Sequence, residues 1–287
     1  MKYNKNFIAA LMAALLLFSS SACSKKPKAE PEFDPYEGMV QVSNGMGGLM
    51  WAPIYESLAV NSYDAGSFYA DGAFLNYSDP NVHTVRGIDV SFYQKTIDWD
   101  LVAQDGISFA MIRAGYRGTT VGNISADEMF LQNIEGALNA GLDVGVYFFS
   151  QAVTPEEAIE EADFVLELVS GYELSMPIAF DWENEGNNDA RTDNLSGSVL
   201  TDCALAFCER ISNAGYEPAI YFYRKLGYYE YNLDKIAHIK FWVAAPGEYP
   251  DFYYDHYMWQ YSFTGKVNGI DEPVDLNMYF EQYSSLA

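Results

Sequence analysis

Cysteine and histidine are scarce in this chain, with three of each among 287 residues. No CxxC or HExxH spacing occurs, and His83, His238 and His256 are scattered. A metal site is therefore not expected, and nothing implies a cofactor. Cys203 and Cys208 stand five apart on a predicted helix, which sends their side chains roughly 140° apart. A disulfide would require that helix to break, so both read as small buried hydrophobes. Positive charge is thin as well: 16 Lys and Arg face 40 Asp and Glu, a formal net charge of −24. That balance excludes nucleic acid as a partner, because phosphate binding needs basic patches. It also favours a soluble monomer. The apolar run Phe7–Phe18 has twelve residues, too few to span a bilayer as a permanent helix. No internal repeat at solenoid spacing is visible.

Aromatic residues, by contrast, are abundant: 23 Tyr, 18 Phe and 5 Trp. They supply area for a large core, and the same rings suit stacking on sugars. At the start, Lys2 and Lys5 precede the Phe7–Phe18 run, and Ser19-Ser20-Ser21-Ala22 follows it. This is the order of an export signal spanning residues 1–22. Cys23 comes next, then the polar Ser24-Lys25-Lys26-Pro27-Lys28. The arrangement resembles a bacterial lipoprotein signal, although Ser20 stands where that pattern prefers Leu. The resemblance implies lipidation of Cys23, with a lipid anchor as the only membrane contact and an extracytoplasmic location. Residues 23–38, rich in Lys, Pro and Glu, read as a tether.

Residues 39–84 are ambiguous, with repeated Tyr and Phe, Met46-Gly47-Gly48 and Asp71-Gly72. The aromatic content favours short strands or an arm packed on the domain over disorder. From Val85 the pattern is regular. Apolar, β-rich runs occur at Val85–Phe92, Phe109–Tyr116, Val144–Ser150, Pro177–Glu183, Pro218–Tyr223, Phe241–Ala245, Tyr257–Tyr261 and Val274–Phe280. Helix-like segments are Ile97–Gln104, Ala126–Ala140, Pro155–Val169, Val199–Ala214 and Lys225–Ile236. Thr154-Pro155-Glu156-Glu157 offers a start signal for the third and Ser198 one for the fourth, while Gly141 and Gly215 follow helices. The fold class is α/β: a mostly parallel sheet, most naturally closed as an irregular eight-stranded βα barrel over residues 85–287. The barrel is TIM-like with its late helices missing, and an open sheet is the alternative.

In such a fold functional side chains gather where strands end. Asp89, Arg113, Ser150 with Gln151, Asp181 with Glu183, Tyr221 with Tyr223, Gln260 and Asp275 are the polar residues assigned to late strand positions. Carboxylates within apolar strands are costly unless paired or neutral, and four of them converging form a candidate site. In Pro177-Ile-Ala-Phe-Asp-Trp-Glu183, alternation puts Ala179, Asp181 and Glu183 on one face and Ile178, Phe180 and Trp182 on the other. Close like charges keep a proton on one carboxyl. Glycoside hydrolysis needs such a pair, a neutral acid for the leaving oxygen and a carboxylate near the developing positive charge. Arg113 is expected to pair with one of these carboxylates. Tyr147, Phe149, Tyr221 and Trp259 are candidate core residues or sugar platforms.

The segments Gly87-Ile-Asp-Val-Ser91, Phe109-Ala-Met-Ile-Arg113, Gly145-Val-Tyr-Phe-Phe-Ser150, Ala179-Phe-Asp-Trp-Glu183, Ala219-Ile-Tyr221, Phe241-Trp-Val-Ala244, Met258-Trp-Gln-Tyr261 and Val274-Asp-Leu-Asn277 together resemble glycoside hydrolase family 25, the Chalaropsis-type lysozymes. The resemblance implies cleavage of the β-1,4 bond from N-acetylmuramic acid to N-acetylglucosamine in peptidoglycan glycan strands. It implies Glu183 as general acid and Asp181 as the residue that orients the sugar's acetamido group or stabilises the oxocarbenium-like centre. Asp89, Asp275, Tyr147 and Tyr221 would line the groove, with Arg113, Trp259 and Gln260 as further contacts. One departure is Phe148, where many members carry His. A chitinase-like hexosaminidase and a non-catalytic glycan binder are the alternatives.

Overall fold

The computed structural model describes residues 34–186 and 189–282. The export signal and Cys23 lie outside them. Two compact units are distinguished. In the first, Asp34–Glu37 form a turn closed by the Glu37 N–H on Asp34 O at 3.3 Å. The second begins at Gly38.

Residues 39–84 contain two hairpins. Strands β1 (Met39–Ser43) and β2 (Leu49–Pro53) form one, β3 (Phe68–Asp71) and β4 (Phe74–Tyr77) the other. The β3–β4 turn places Gly72 at φ +63°, a value that suits glycine in a tight hairpin. The segment packs on the later chain. Tyr63 stacks on Phe280 at 3.9 Å, Phe68 meets Trp259 edge-on, and Asn61 Nδ2 donates to the carbonyls of Pro250 and Phe252.

The remainder runs β5 (Val82–Val90), α1 (Trp99–Gln104), β6 (Phe109–Arg117), β7 (Ile124–Ala126), α2 (Phe130–Asn139), β8 (Asp143–Ser150), α3 (Pro155–Leu168), β9 (Ile178–Trp182), α4 (Gly197–Asn213), β10 (Pro218–Tyr223), α5 (Arg224–Tyr229), α6 (Leu233–Ile236), β11 (Lys240–Ala244), β12 (Met258–Gly265) and β13 (Val274–Gln282). Eight of these strands, all but β7, form a ring in the order β5, β6, β8, β9, β10, β11, β12, β13, which closes because β13 pairs back onto β5. The expected eight-stranded barrel is therefore present, with its helices early.

Its last strand departs from a parallel reading. β13 runs antiparallel to both β12 and β5. Only residues 266–273 join β12 to β13, whereas a parallel return needs a crossover of a dozen or more residues. A short antiparallel β7 also extends β6. The predicted helix Lys225–Ile236 is divided into α5 and α6, because Asn232 caps a new start by accepting from the Lys235 N–H. Thr154 caps α3 as anticipated, but Ser196 rather than Ser198 caps α4. Gly141 and Gly215 take positive φ just after α2 and α4. Cys203 and Cys208 are both free and buried in α4.

Two packed layers result. Outside the ring, Phe148, Phe180 and Phe207 are fully buried between strands and helices, each contributing roughly 1.5–3 kcal/mol by leaving water. Inside, Phe109, Met111, Ala179, Ala219, Trp242 and Met258 fill the lumen. Gly87 makes this possible, since a Cβ there would lie 2.2 Å from the Phe109 ring. Alternation along β9 follows the sequence reading: Ile178, Phe180 and Trp182 join the outer layer and Ala179 the lumen.

Candidate active site

The lumen packing stops short of the end where β6 and β8–β12 finish, leaving a cavity of about 310 Å³. Asp89, Arg113, Tyr147, Asp181, Glu183, Tyr221, Gln260 and Asp275 all line it. Asp89 is the penultimate residue of β5, and Asp181 that of β9. Glu183 is the first residue past β9, held through its backbone by Gln151, whose Nε2 donates to Glu183 O at 3.0 Å. Asp275 reaches the same mouth for another reason. It is the second residue of β13, not a late one, and only the reversed direction of that strand brings it opposite Asp89.

The carboxyls are held away from water. Burial first, then the charges of Asp89 and Glu185, pushes Glu183 up to about 7. Burial first, then Glu183 and Asp89, raises Asp181 well above the usual carboxylate range, with Arg113 opposing. Asp181 is 4% exposed and its Oδ1 has no hydrogen-bond partner. The Asp181–Glu183 pair therefore retains a proton near neutrality. Asp89 is raised by burial and lowered by donors from Asn277, Gln260 and Asp275, whereas Asp275 is raised by burial and then by Asp89 itself.

A chain of side chains supports Asp89 from below. Trp242 Nε1–H donates to Asn277 Oδ1 at 2.8 Å, and Asn277 Nδ2 donates to Asp89 Oδ2 at 2.7 Å. Gln260 Nε2 donates to the same oxygen at 2.7 Å, and its Oε1 accepts from the Tyr221 hydroxyl at 2.8 Å. Trp242 and Asn277 were not anticipated as site residues. Alternation was the available signal, since Trp242 shares a face of β11 with Ala244, and Asn277 lies two positions after Asp275.

Two expectations need correction. Trp259 is not in the cavity. It is fully buried in the outer layer, its Nε1–H donates to Ala245 O at 2.8 Å, and Phe68 covers its edge. Arg113 lines the cavity, but its Nε pairs at 2.7 Å with the fully buried carboxylate of Asp127, not with the four strand acids. Asp127 falls within the expected helix-like segment 126–140, whereas α2 begins only at Phe130, which leaves Asp127 in the loop before it. Phe148 faces the helix layer against Phe164, so a histidine at that position would point away from the cavity. Among the described residues no cluster of His, Cys, Asp and Glu is arranged to hold a metal ion. A larger hollow of about 510 Å³ lies at the opposite end between the arm and the start of β11, and Asp255 is the one acid lining it.

The chain is similar to several known proteins. The chain is 28% identical over 199 residues to an autolytic lysozyme of Clostridium acetobutylicum, a match covering 69% of this chain and 56% of that protein. It thus spans little more than half the length of that relative. Lysozyme M1 of Streptomyces globisporus is 28% identical over 210 residues, covering 68% of this chain and 67% of the relative. The crystal structure of a bacterial lysozyme from Streptomyces coelicolor superposes with a TM-score of 0.55 at 28% identity, covering 68% of this chain and 91% of that one. The family profile for glycosyl hydrolases family 25 matches residues 88–270. With well over half its length matched, the chain belongs to glycosyl hydrolases family 25.

Proposed function

We propose that this protein is a lysozyme-type N-acetylmuramidase of the Chalaropsis type, hydrolysing the β-1,4 bond between N-acetylmuramic acid and N-acetylglucosamine in peptidoglycan. The observation that carries the reading is the Asp181–Glu183 pair at the mouth of a closed barrel, with burial and neighbouring charge keeping a proton on it. Glu183, less enclosed than Asp181, protonates the leaving glycosidic oxygen. Asp181 offers a free carboxyl oxygen, Oδ1, to the acetamido group or to the positive charge developing at the sugar. Asp89, Asp275, Arg113, Gln260, Tyr147 and Tyr221 line the groove that receives the glycan.

The test is product analysis by mass spectrometry on defined peptidoglycan. Fragments with muramic acid at the reducing end support the assignment, and release of chitin oligomers alone would replace it with a hexosaminidase. We further propose that the protein acts outside the cytoplasm as a monomer, anchored through lipidated Cys23. Mass spectrometry of the mature N-terminus would show the lipid on Cys23, or its absence.

A further inference from the structure

Asn277 and Gln260 belong to no acid pair and yet bind one. We propose that they are positioning residues: by pinning one oxygen of Asp89 they fix which carboxyl of the Asp89–Asp275 pair bears negative charge, and so where the field acting on Glu183 originates. The inference rests on the muramidase reading for its kinetic consequence, but not for its geometry.

The argument begins with Trp242. An indole N–H can only donate, so the atom of Asn277 facing it must be the carboxamide oxygen. That fixes the orientation of an otherwise ambiguous amide and turns its NH2 group onto Asp89 Oδ2. Gln260 donates to the same oxygen. Two N–H donors at 2.7 Å on one carboxyl oxygen favour the ionised form of Asp89 over the neutral one. The proton shared by the facing acids therefore resides on Asp275, which hydrogen-bonds to Asp89. Charge-assisted hydrogen bonds hold Asp89 ionised in a site where burial opposes ionisation.

The titratable and charged groups around Asp89 come from every side of the ring. They are Asp275 on β13, Asp181 and Glu183 at the end of β9 with Glu185 beyond, Arg113 on β6, and the phenols of Tyr147 on β8 and Tyr221 on β10. After burial, the charge of Asp89 is the largest influence raising the proton affinity of Glu183. Loss of the Asn277 donor makes Asp89 ionise at higher pH. While Asp89 is neutral, Glu183 loses the charge that helps it keep its proton and ionises at lower pH.

The experiment measures kcat/KM against pH on a soluble uncrosslinked glycan for wild type, Asn277→Leu and Trp242→Phe. Trp242→Phe keeps an aromatic ring in place and removes the donor that orients the amide, together with part of the indole's packing. In both variants the alkaline limb of the profile, set by Glu183, should move to lower pH by about half a pH unit or more. A limb that stays in place while the maximum falls would mean a merely structural role and overturn the inference. Carboxyl 13C titration of the same proteins requires no turnover, which separates failure of this inference from failure of the muramidase reading. Asp89 should ionise before Asp275 in wild type and later in Asn277→Leu, and the reverse order in wild type would refute the assignment.

Discussion

Asp89 on β5 and Asp275 on β13 occupy directly facing positions of an antiparallel pair, two acids from opposite ends of the catalytic region sharing one rung of the barrel. Like charges at such a rung repel, and the rung survives because amide donors serve one acid and a proton the other. The behaviour of the whole site follows from how few charges it tolerates.

Glu183→Gln preserves shape and removes the transferable proton. Lytic turnover should fall by at least about a hundredfold, with the circular dichroism spectrum unchanged. Clearing of purified peptidoglycan at near wild-type rate by this variant would remove Glu183 from its role.

Activity should decline above about pH 7, as Glu183 loses its proton. Stability should decline too. Glu183 and Glu161, the latter buried on α3 beside Arg117, are raised by burial to about 7, and Asp275 is raised by burial to about 8. The folded protein thus binds more protons than the unfolded chain from about pH 4.5 to about pH 8, and stability falls as pH rises through that window. His256, lowered by burial to about 4, contributes the opposite slope, but only below about pH 6.5. Between pH 6.5 and 8 the carboxyls act alone, so thermal midpoints should drop across it. Glu183→Gln should flatten part of that drop and be more stable than wild type at pH 8 by about 1–3 kcal/mol.

Asp127→Ala strands the Arg113 guanidinium, 8% exposed, without its carboxylate. It also frees the Phe92 N–H that Asp127 accepts. Unpairing a buried ion typically costs about 3–5 kcal/mol. A shift in denaturant midpoint of that size is expected, and a loss under about 1 kcal/mol would show that water reaches Arg113 readily.

Trp259→Phe should lower stability by about 1–2 kcal/mol, through the lost contacts and the orphaned Ala245 carbonyl. Its kcat and KM should match wild type, in contrast to Trp242→Phe. A large rise in KM would return Trp259 to the groove.

Much of this was legible from local pattern. Period-two alternation around Asp181 separated lumen from helix layer, and the order of strands and helices implied a barrel. Strand direction was not legible, because Val274–Phe280 reads alike in either sense, and only the short preceding link distinguishes them. Asp275 was therefore placed at the mouth for the wrong reason. Trp259 was expected among the contacts and Trp242 was not, yet a single residue of phase sends the first outward and the second inward. Asp127 acquires its role solely through a contact made across the fold.

The reversal of β13 has an effect at the far end of the molecule. Val82 at the beginning of β5 pairs with Gln282 at the end of β13, so the polypeptide enters and leaves the barrel side by side, on the rim remote from Glu183. Because both ends lie on that rim, changes made at either point should leave the mouth unaltered. A partner domain fused at either point would be carried behind the enzyme, leaving the approach of a long glycan strand unobstructed.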